Sequence, residues 1–206
     1  MFADREDAAR RLAGALSGYK GRNPLVLAVP RGAVAMGRLI ADELEGELDV
    51  VLVRKIGAPF NSEFALAAID ESGELHWTDG VQPSSVDPLW LEHEKRTQLD
   101  LIAQRRARYR PGRAPIDPAG RVVIVVDDGL ATGSTMMAAL HVVTARGPRR
   151  LVCAVPVGAP SSLERVRPFA DEVVCLEAPA NFHAVSQFFQ HFQQVSDEEV
   201  ERLLER

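Results

Sequence analysis

Two adjacent carboxylates, Asp127 and Asp128, directly follow a run of five apolar β-forming residues at 122–126. In an open parallel sheet, ligands bind at the carboxyl ends of the strands, so binding chemistry is expected at this point. Carboxylates accept hydrogen bonds from hydroxyl groups or hold a hydrated Mg²⁺. The plain alternative is a solvated strand end or a helix cap. Two acids placed between a buried strand and a loop of small residues favour ligand binding.

The loop that follows the acids is suited to holding an anion. It consists of Gly129, Leu130, Ala131, Thr132, Gly133, Ser134 and Thr135. Its small side chains allow backbone N–H groups to converge on an anion at the N-terminus of the next predicted helix, and three hydroxyl groups add donors. Neither the Walker A pattern nor the GxGxxG pattern is present. The loop therefore predicts a site for a single phosphate group.

Two other predicted strands end on cations. Residues 24–29 lead to Arg31, and residues 48–54 lead to Lys55. A ribose 5-phosphate fits both features, because its phosphate can bind at the small loop and its vicinal diol at the two acids. Arg31 and Lys55 would then face further negative charge, such as a Mg²⁺-bound diphosphate on the first carbon of the sugar. For both cations the alternative is a solvated side chain.

The elements that must position these residues alternate between buried strands and helices. Strands are predicted at 24–29, 48–54, 122–126, 150–157 and 172–177, and helices at 4–17, 33–44, 134–146, 161–168 and after Ser196. Such alternation predicts a doubly wound α/β fold, with a mainly parallel sheet and helices on both faces. We expect one domain over 1–206. Segment 64–118 interrupts the alternation as a flap or insert, and 178–206 forms a C-terminal hood.

The segment that interrupts the alternation has its own predicted elements. Residues 55–63 contain Gly, Pro and Asn without periodicity and are predicted to form a loop. Residues 64–70 and 74–79 are predicted to pair as a hairpin. Residues 85–110 are rich in helix formers, and 105–113 holds five arginines. These arginines are interpreted either as a solvated helix end or as a contact for RNA or DNA.

Composition narrows the class of protein. A net charge of −5 over 206 residues disfavours nucleic acid as the main partner, because neutralising phosphates requires a basic face. Cys153 and Cys175 lie in apolar runs without CxxC spacing, which indicates free thiols in a reducing compartment. The N-terminus lacks the apolar region of a secretory signal, and no apolar run is long enough to cross a membrane. We therefore expect a cytoplasmic protein without membrane contact.

Four stretches resemble the type I phosphoribosyltransferase family. VVIVVDDGLATGST is similar throughout to the family signature of an apolar strand, two acids, a small loop, and Thr-Gly followed by Ser or Thr. LAVPRGAV resembles the pyrophosphate loop, and VRKIGAPFNSEF resembles the basic residue and flexible catalytic loop. PANFHAVSQFF lies where purine-type members place base-stacking residues. The resemblance also implies a strained or cis non-proline peptide near residues 30–32.

The resemblance implies an enzyme that transfers the phosphoribosyl group of 5-phosphoribosyl 1-diphosphate (PRPP) to a nitrogenous base. Mg²⁺ would be the cofactor and pyrophosphate the leaving group, and a homodimer is the expected assembly. Asp127 and Asp128 would hold the ribose hydroxyls and the metal shell, while 129–135 would hold the 5′-phosphate. Pyrophosphate would be bound by residues from two strand ends, namely Pro30, Arg31, Gly32 and Lys55. Lys55 would also neutralise the departing charge, and Glu63 would act as an acid or base.

The choice of acceptor base stays open. Hypoxanthine/guanine-type members carry an aspartate directly before Thr-Gly, where this chain has Ala131. This difference ranks 6-oxopurine salvage below other purine or pyrimidine salvage. A second hypothesis is a regulatory protein of the same fold that senses PRPP or a nucleotide without transferase activity. Arg31 and Lys55 favour the enzyme, since a sensor has no leaving group to stabilise.

Overall fold

In the part of the chain that the structure describes, the strands form two β-sheets. The computed structural model of the chain describes residues 1–78 and 80–205, apart from the side chains of Ser62 and Glu63. In chain order the strands are β1 (Leu25–Ala28), β2 (Glu47–Val50), β3 (Arg54–Ala58), β4 (Asn61–Ile69), β5 (Leu75–Trp77), β6 (Val122–Val126), β7 (Arg150–Val157) and β8 (Glu172–Glu177). The larger sheet has the order β2-β1-β6-β7-β8 and is parallel throughout. The predicted α/β fold with a mainly parallel sheet is confirmed.

Helices cover both faces of the larger sheet. In chain order they are α1 (Arg5–Ala15), α2 (Val34–Leu44), α3 (Pro88–Tyr109), α4 (Ser134–Ala145), α5 (Pro160–Val166) and α6 (Asp197–Leu204). Helices α1, α2 and α6 pack against one face of β1 and β6, and α4 and α5 pack against the other. Because successive strand residues point to opposite faces, a sheet covered on both sides requires unbroken apolar strands. All five residues of β6 are accordingly buried.

The smaller sheet corrects one prediction and confirms another. The strand predicted over 48–54 ends at Val50, and Arg54 already begins β3. The predicted loop over 55–63 is wrong, because β3 pairs antiparallel with β4. Register shifts on both sides of Gly57 break the alternation that would have revealed these strands in the sequence. The predicted hairpin is confirmed for the described residues, since β4 pairs with β5.

Helix α3 forms the main part of the predicted insert. It begins after Asp87, whose side chain accepts hydrogen bonds from the amides of Leu89 and Trp90. It packs against β3 and against α6, next to the β2 edge of the larger sheet. Although α3 has 22 residues, many are charged. Across the described parts of the chain, no helix combines the length and the apolar character needed to cross a membrane.

Candidate active site

The two central segments of the predicted site meet at the carboxyl ends of β1 and β6, which are neighbours in the sheet. Asp127 and Asp128 follow β6, and residues 30–32 follow β1. The segments approach so closely that a Cβ atom on Gly32 would lie 2.2 Å from Asp128 Oδ2. Only glycine permits this approach. The structure therefore brings the acid pair and the predicted pyrophosphate loop together.

Asp128 is paired with a residue that the sequence patterns did not indicate. Arg5, at the start of α1, donates from Nε and from NH2 to Asp128 Oδ2, at 3.0 and 2.7 Å. Its NH1 donates to the Gln193 carbonyl at 2.7 Å, and its guanidinium carbon lies 3.8 Å from the centre of the Phe192 ring. A guanidinium that is both stacked and hydrogen-bonded is held in one orientation. Arg5 therefore fixes Asp128 and joins α1 to the C-terminal segment that is predicted to form a hood.

The environment of Asp127 favours the neutral form of its carboxyl group. Its carboxyl group accepts a hydrogen bond from the Asp128 amide at 2.8 Å. Burial raises the pKa of Asp127 well above its usual value, and the neighbouring charge of Asp128 raises it further. The Asp128 amide and the charge of Arg5 act in the opposite direction with smaller effect. A neutral Asp127 can donate a hydrogen bond as well as accept one.

The raised pKa of Asp127 predicts a pH-dependent stability. A carboxyl group whose pKa is raised by folding contributes stability below its unfolded pKa of about 3.9, and this contribution is lost as pH rises through the folded pKa. Asparagine does not ionise, so the variant does not lose this contribution to stability as the pH rises. The free energy of unfolding of Asp127→Asn, relative to the wild type, should therefore increase with pH. Urea denaturation of the metal-free proteins between about pH 5 and 9 measures it, and a difference that stays constant with pH would contradict the assignment.

The predicted phosphate loop, residues 129–135, is open on its amide side. The Ala131 carbonyl accepts a hydrogen bond from Ser162 Oγ at 2.6 Å, and the Thr132 carbonyl accepts one from Arg165 at 3.3 Å. In a trans peptide the N–H points opposite to the C=O, so the amides of Thr132 and Gly133 face away from α5. Among the described residues these two amides find no acceptor. They are therefore available to an anion at the start of α4.

Hydroxyl groups and one left-handed glycine complete this loop. Thr132 Oγ1 and Ser134 Oγ lie 3.0 Å apart, and Thr135 is exposed in the first turn of α4. Gly133 has φ +72°, a backbone conformation that favours glycine. A Cβ atom there would also lie 3.2 Å from a methyl group of Val166. Small residues are thus required both by the backbone conformation and by the packing.

The predicted pyrophosphate loop contains the cis non-proline peptide expected for it, between Pro30 and Arg31. The Arg31 guanidinium lies 3.6 Å from the Asp197 carboxylate at the start of α6, and 41% of the Arg31 side chain is exposed. Arg31 is therefore a cation at the rim of the site. Its partner in this structure is a carboxylate on a neighbouring element rather than a group within the loop.

A cleft of about 590 Å³ opens beside this loop. One wall comes from the residues that follow β1 and β2, and the other comes from β3 and α3. Pro30 and Thr135 connect the cleft to the two binding loops, and Lys55 lines it as well. Two arginines, Arg54 and Arg105, also line it. The cleft is therefore rich in positive charge. Arg105 is the cation that was not predicted from the sequence to lie in it.

The predicted acid or base Glu63 cannot be placed at this site. Its backbone belongs to β4, which forms part of the hairpin next to the cleft. Its side chain lies outside the described residues. Its role stays a prediction.

Much of the arginine-rich segment 105–113 is used inside the molecule. Arg108 pairs with three carboxylates of α6. Arg110 is buried and pairs with two acids, while Arg113 donates to a backbone carbonyl at the end of α6. These three arginines hold elements together. The interpretation of the segment as a solvated helix end is wrong for Arg110, and each of the three guanidinium groups has a partner within the chain.

The phenylalanines of the C-terminal hood pack against the start of the chain. The Phe189 ring centre lies 5.4 Å from that of Phe2 and 5.0 Å from that of Phe192. Phe182 and Phe188 stack with centres 5.3 Å apart. Phe2 and Phe189 are buried. The rings of this group therefore serve mainly in packing. The buried rings, Phe2 and Phe189, have no face left to stack on a base.

Comparison with known proteins decides the family. The Phosphoribosyl transferase domain family matches residues 2–190. The chain belongs to the phosphoribosyltransferase family. Two curated relatives from Mycobacterium tuberculosis, strains CDC 1551 / Oshkosh and H37Rv, are provisionally named phosphoribosyl transferases. Each is 42% identical to this phosphoribosyltransferase domain over 207 aligned positions, which cover 100% of this chain. The chain spans 47% of the length of these relatives.

A solved structure resembles this phosphoribosyltransferase domain over nearly its whole extent. The crystal structure of TT1426 from Thermus thermophilus is 47% identical in sequence and superimposes with a TM-score of 0.92. The similarity covers 98% of this chain and 97% of that chain. The α/β fold is therefore supported by an experimental relative, including the insert between the two halves of the sheet.

Proposed function

We propose that this domain transfers the 5-phosphoribosyl group of PRPP to a nitrogenous base and releases pyrophosphate in a Mg²⁺-dependent reaction. The observation that carries the proposal is the convergence of two carboxylates, an amide loop open to anions and a cationic cleft at neighbouring strand ends. Each of the three features is complementary to one part of PRPP. The parts are the ribose diol, the 5′-phosphate and the diphosphate.

The 5′-phosphate is proposed to bind at residues 129–135. The free amides of Thr132 and Gly133 would donate to its oxygens, and the hydroxyl groups of Ser134 and Thr135 would add donors. The N-terminus of α4 contributes a favourable dipole. Binding at this loop holds the part of the substrate that does not react. It therefore positions the anomeric carbon over the strand ends.

The ribose diol is proposed to bind at the acid pair. Asp128 is held in one orientation by Arg5, so its remaining oxygen has a fixed direction in which to accept a hydroxyl hydrogen. Asp127 can accept from one hydroxyl group or, when neutral, donate to it. Cleavage of the bond to the diphosphate develops positive charge on the sugar, as in an oxocarbenium ion. A carboxylate near the ring stabilises that charge.

The diphosphate is proposed to lie along Pro30, Arg31 and Gly32, with Lys55 beside it. Arg31 would exchange its contact with Asp197 for a phosphate oxygen, which is a similar acceptor with more charge. Lys55 lines the same cleft and would neutralise the pyrophosphate as it departs. The nitrogen of the acceptor base would attack the opposite face of the anomeric carbon.

The acid pair fits a Mg²⁺ that arrives with the substrate. Carboxylate oxygens are suitable ligands, although Asp128 Oδ2 is already bonded twice by Arg5. No third acid or histidine of the described residues joins Asp127 and Asp128 to complete a group of three ligands. This arrangement suits an ion that completes its shell with water and substrate phosphates. Bound there, Mg²⁺ would neutralise charge on the diphosphate.

The proposed acceptor is a small base, in line with purine or pyrimidine salvage. Ala131 stands where hypoxanthine/guanine-type members have an aspartate, so 6-oxopurines rank below other bases. The free thiols of Cys153 and Cys175 support a reducing compartment such as the cytoplasm. The proposed assembly is a homodimer, and neither a membrane nor nucleic acid is among the proposed partners.

A panel of bases incubated with labelled PRPP and Mg²⁺ tests the function, with pyrophosphate release as the readout. We expect release that requires both Mg²⁺ and one base or a small group of related bases. Incubation without any base measures hydrolysis and serves as the control. PRPP binding without base-dependent release would contradict the transferase and favour a PRPP-sensing regulator.

A further inference from the structure

One face of α3 combines apolar and polar residues where it lies against the cleft. Positions on this face recur at helical spacing and comprise Trp90, Glu94, Gln98, Ile102 and Arg105, all of which line the cleft. A helix face that packs on a protein core is normally apolar. Three of these five residues are polar or charged. Packing alone does not account for them, and a polar ligand in the cleft would.

Two of these polar residues orient Arg54, which lies on β3 in the same wall of the cleft. Gln98 donates to Glu94 Oε1 at 2.7 Å, and Gln98 Oε1 accepts from Arg54 Nε at 2.8 Å. This chain of bonds holds Arg54 through Nε alone. Its two terminal nitrogens make no hydrogen bond or ion pair with the described residues. Both terminal nitrogens of Arg54 are therefore left to donate hydrogen bonds to a ligand.

Arg105 supplies a second guanidinium to the same space. It makes no hydrogen bond and no ion pair with any group in the described parts of the chain. Burial lowers the pKa of Arg54, and the charge of Arg105 lowers it further, while Glu94 opposes both. Two like charges that line one cleft, with its acid Glu94 already bonded to Gln98, repel each other. An anion between them would remove the repulsion.

We propose that Arg54 and Arg105 form an anion subsite that receives the diphosphate of the phosphoribosyl donor. The subsite makes α3 part of the active site, although α3 belongs to the insert between β5 and β6. The cleft is contiguous with Pro30 and Thr135, so a diphosphate leaving the sugar would pass directly to it. Guanidinium groups suit this ligand because each can donate two parallel hydrogen bonds to a phosphate. The inference rests on the proposed function.

Calorimetric titration with inorganic pyrophosphate and, separately, with ribose 5-phosphate, both with Mg²⁺, tests the subsite. Arg105→Gln should weaken pyrophosphate binding by about 10- to 100-fold, as expected for lost charged hydrogen bonds. It should leave the affinity for ribose 5-phosphate within about 2-fold. Arg105→Lys keeps the charge without the planar fork and should fall between Arg105→Gln and the wild type.

The matched control is Arg106→Gln, one position further along α3. Arg106 is exposed, does not line the cleft and makes no side-chain bond with the described residues. The Arg106→Gln variant should bind pyrophosphate and ribose 5-phosphate with wild-type affinity. Wild-type pyrophosphate affinity in Arg105→Gln, or equal losses in the two glutamine variants, would overturn the subsite while the proposed function stands. A wild-type protein that binds neither ligand would overturn both.

Discussion

Replacing the acid pair by asparagines, Asp127→Asn/Asp128→Asn, should weaken PRPP binding by at least about 100-fold and remove measurable turnover. A hydrogen bond to a charged group contributes about 1.5–3 kcal/mol, and the double variant weakens two such interactions and the metal shell together. Asparagine keeps the shape of the side chain, so the loss reports on charge rather than on packing. Titration with PRPP and Mg²⁺, followed by the pyrophosphate-release assay, measures both effects.

Two further variants make this result interpretable. Asp127→Asn alone leaves the Arg5–Asp128 pair intact and shows how much of the loss comes from the acid that makes no hydrogen bond with Arg5. Asp100→Asn changes an exposed acid on α3 that does not line the cleft, and it should behave as the wild type. Wild-type turnover in the double variant would refute the role given to the acid pair.

Gly32→Ala is the second change for which we expect a large effect. The new Cβ would lie 2.2 Å from Asp128 Oδ2 and 3.2 Å from Arg5 NH2. Both neighbours are held by hydrogen bonds, so either the carboxylate must leave Arg5 or the pyrophosphate loop must move. A displacement of about 1 Å at a site of this kind costs about 100-fold in rate. We therefore expect kcat/KM to fall by about that factor.

Gly14→Ala is the matched control for the added methyl group. Gly14 lies inside α1, is exposed, and has no atom within 4 Å of the position that a Cβ would take. Alanine there should raise the free energy of unfolding by about 0.5–1 kcal/mol without changing kcat/KM. Full activity in Gly32→Ala would show that the approach of the two strand ends has no part in the reaction.

The part of the site that is contiguous in the chain could be predicted from the sequence. Residues 122–135 form one strand, one loop and the start of one helix, so their spacing specifies where the acids and amides lie. The unbroken apolar strands also predict a parallel sheet covered on both faces, and in the structure β1 and β6 are neighbours in that sheet. These predictions depend on local pattern and on the general rule for strand ends.

The rest of the site depends on contacts between distant elements. Arg5 and Asp128 are separated by 123 positions, and nothing in the local pattern of α1 indicates the pair. Arg105 lies in a run of five arginines, three of which hold elements together, and only the rotation of α3 shows that it faces the cleft. The strands within 55–63 were hidden because register shifts around Gly57 remove the alternation on which strand prediction depends.

The central claim is that the tip of β6 binds a phosphorylated sugar through its acids and the amides that follow. A crystal structure of the domain with ribose 5-phosphate tests it most directly. The account predicts phosphate oxygens within about 3 Å of the Thr132 and Gly133 amide nitrogens, and sugar hydroxyl groups at Asp127 and Asp128. A phosphate bound elsewhere, with these amides still without a partner at saturating ligand, would contradict it.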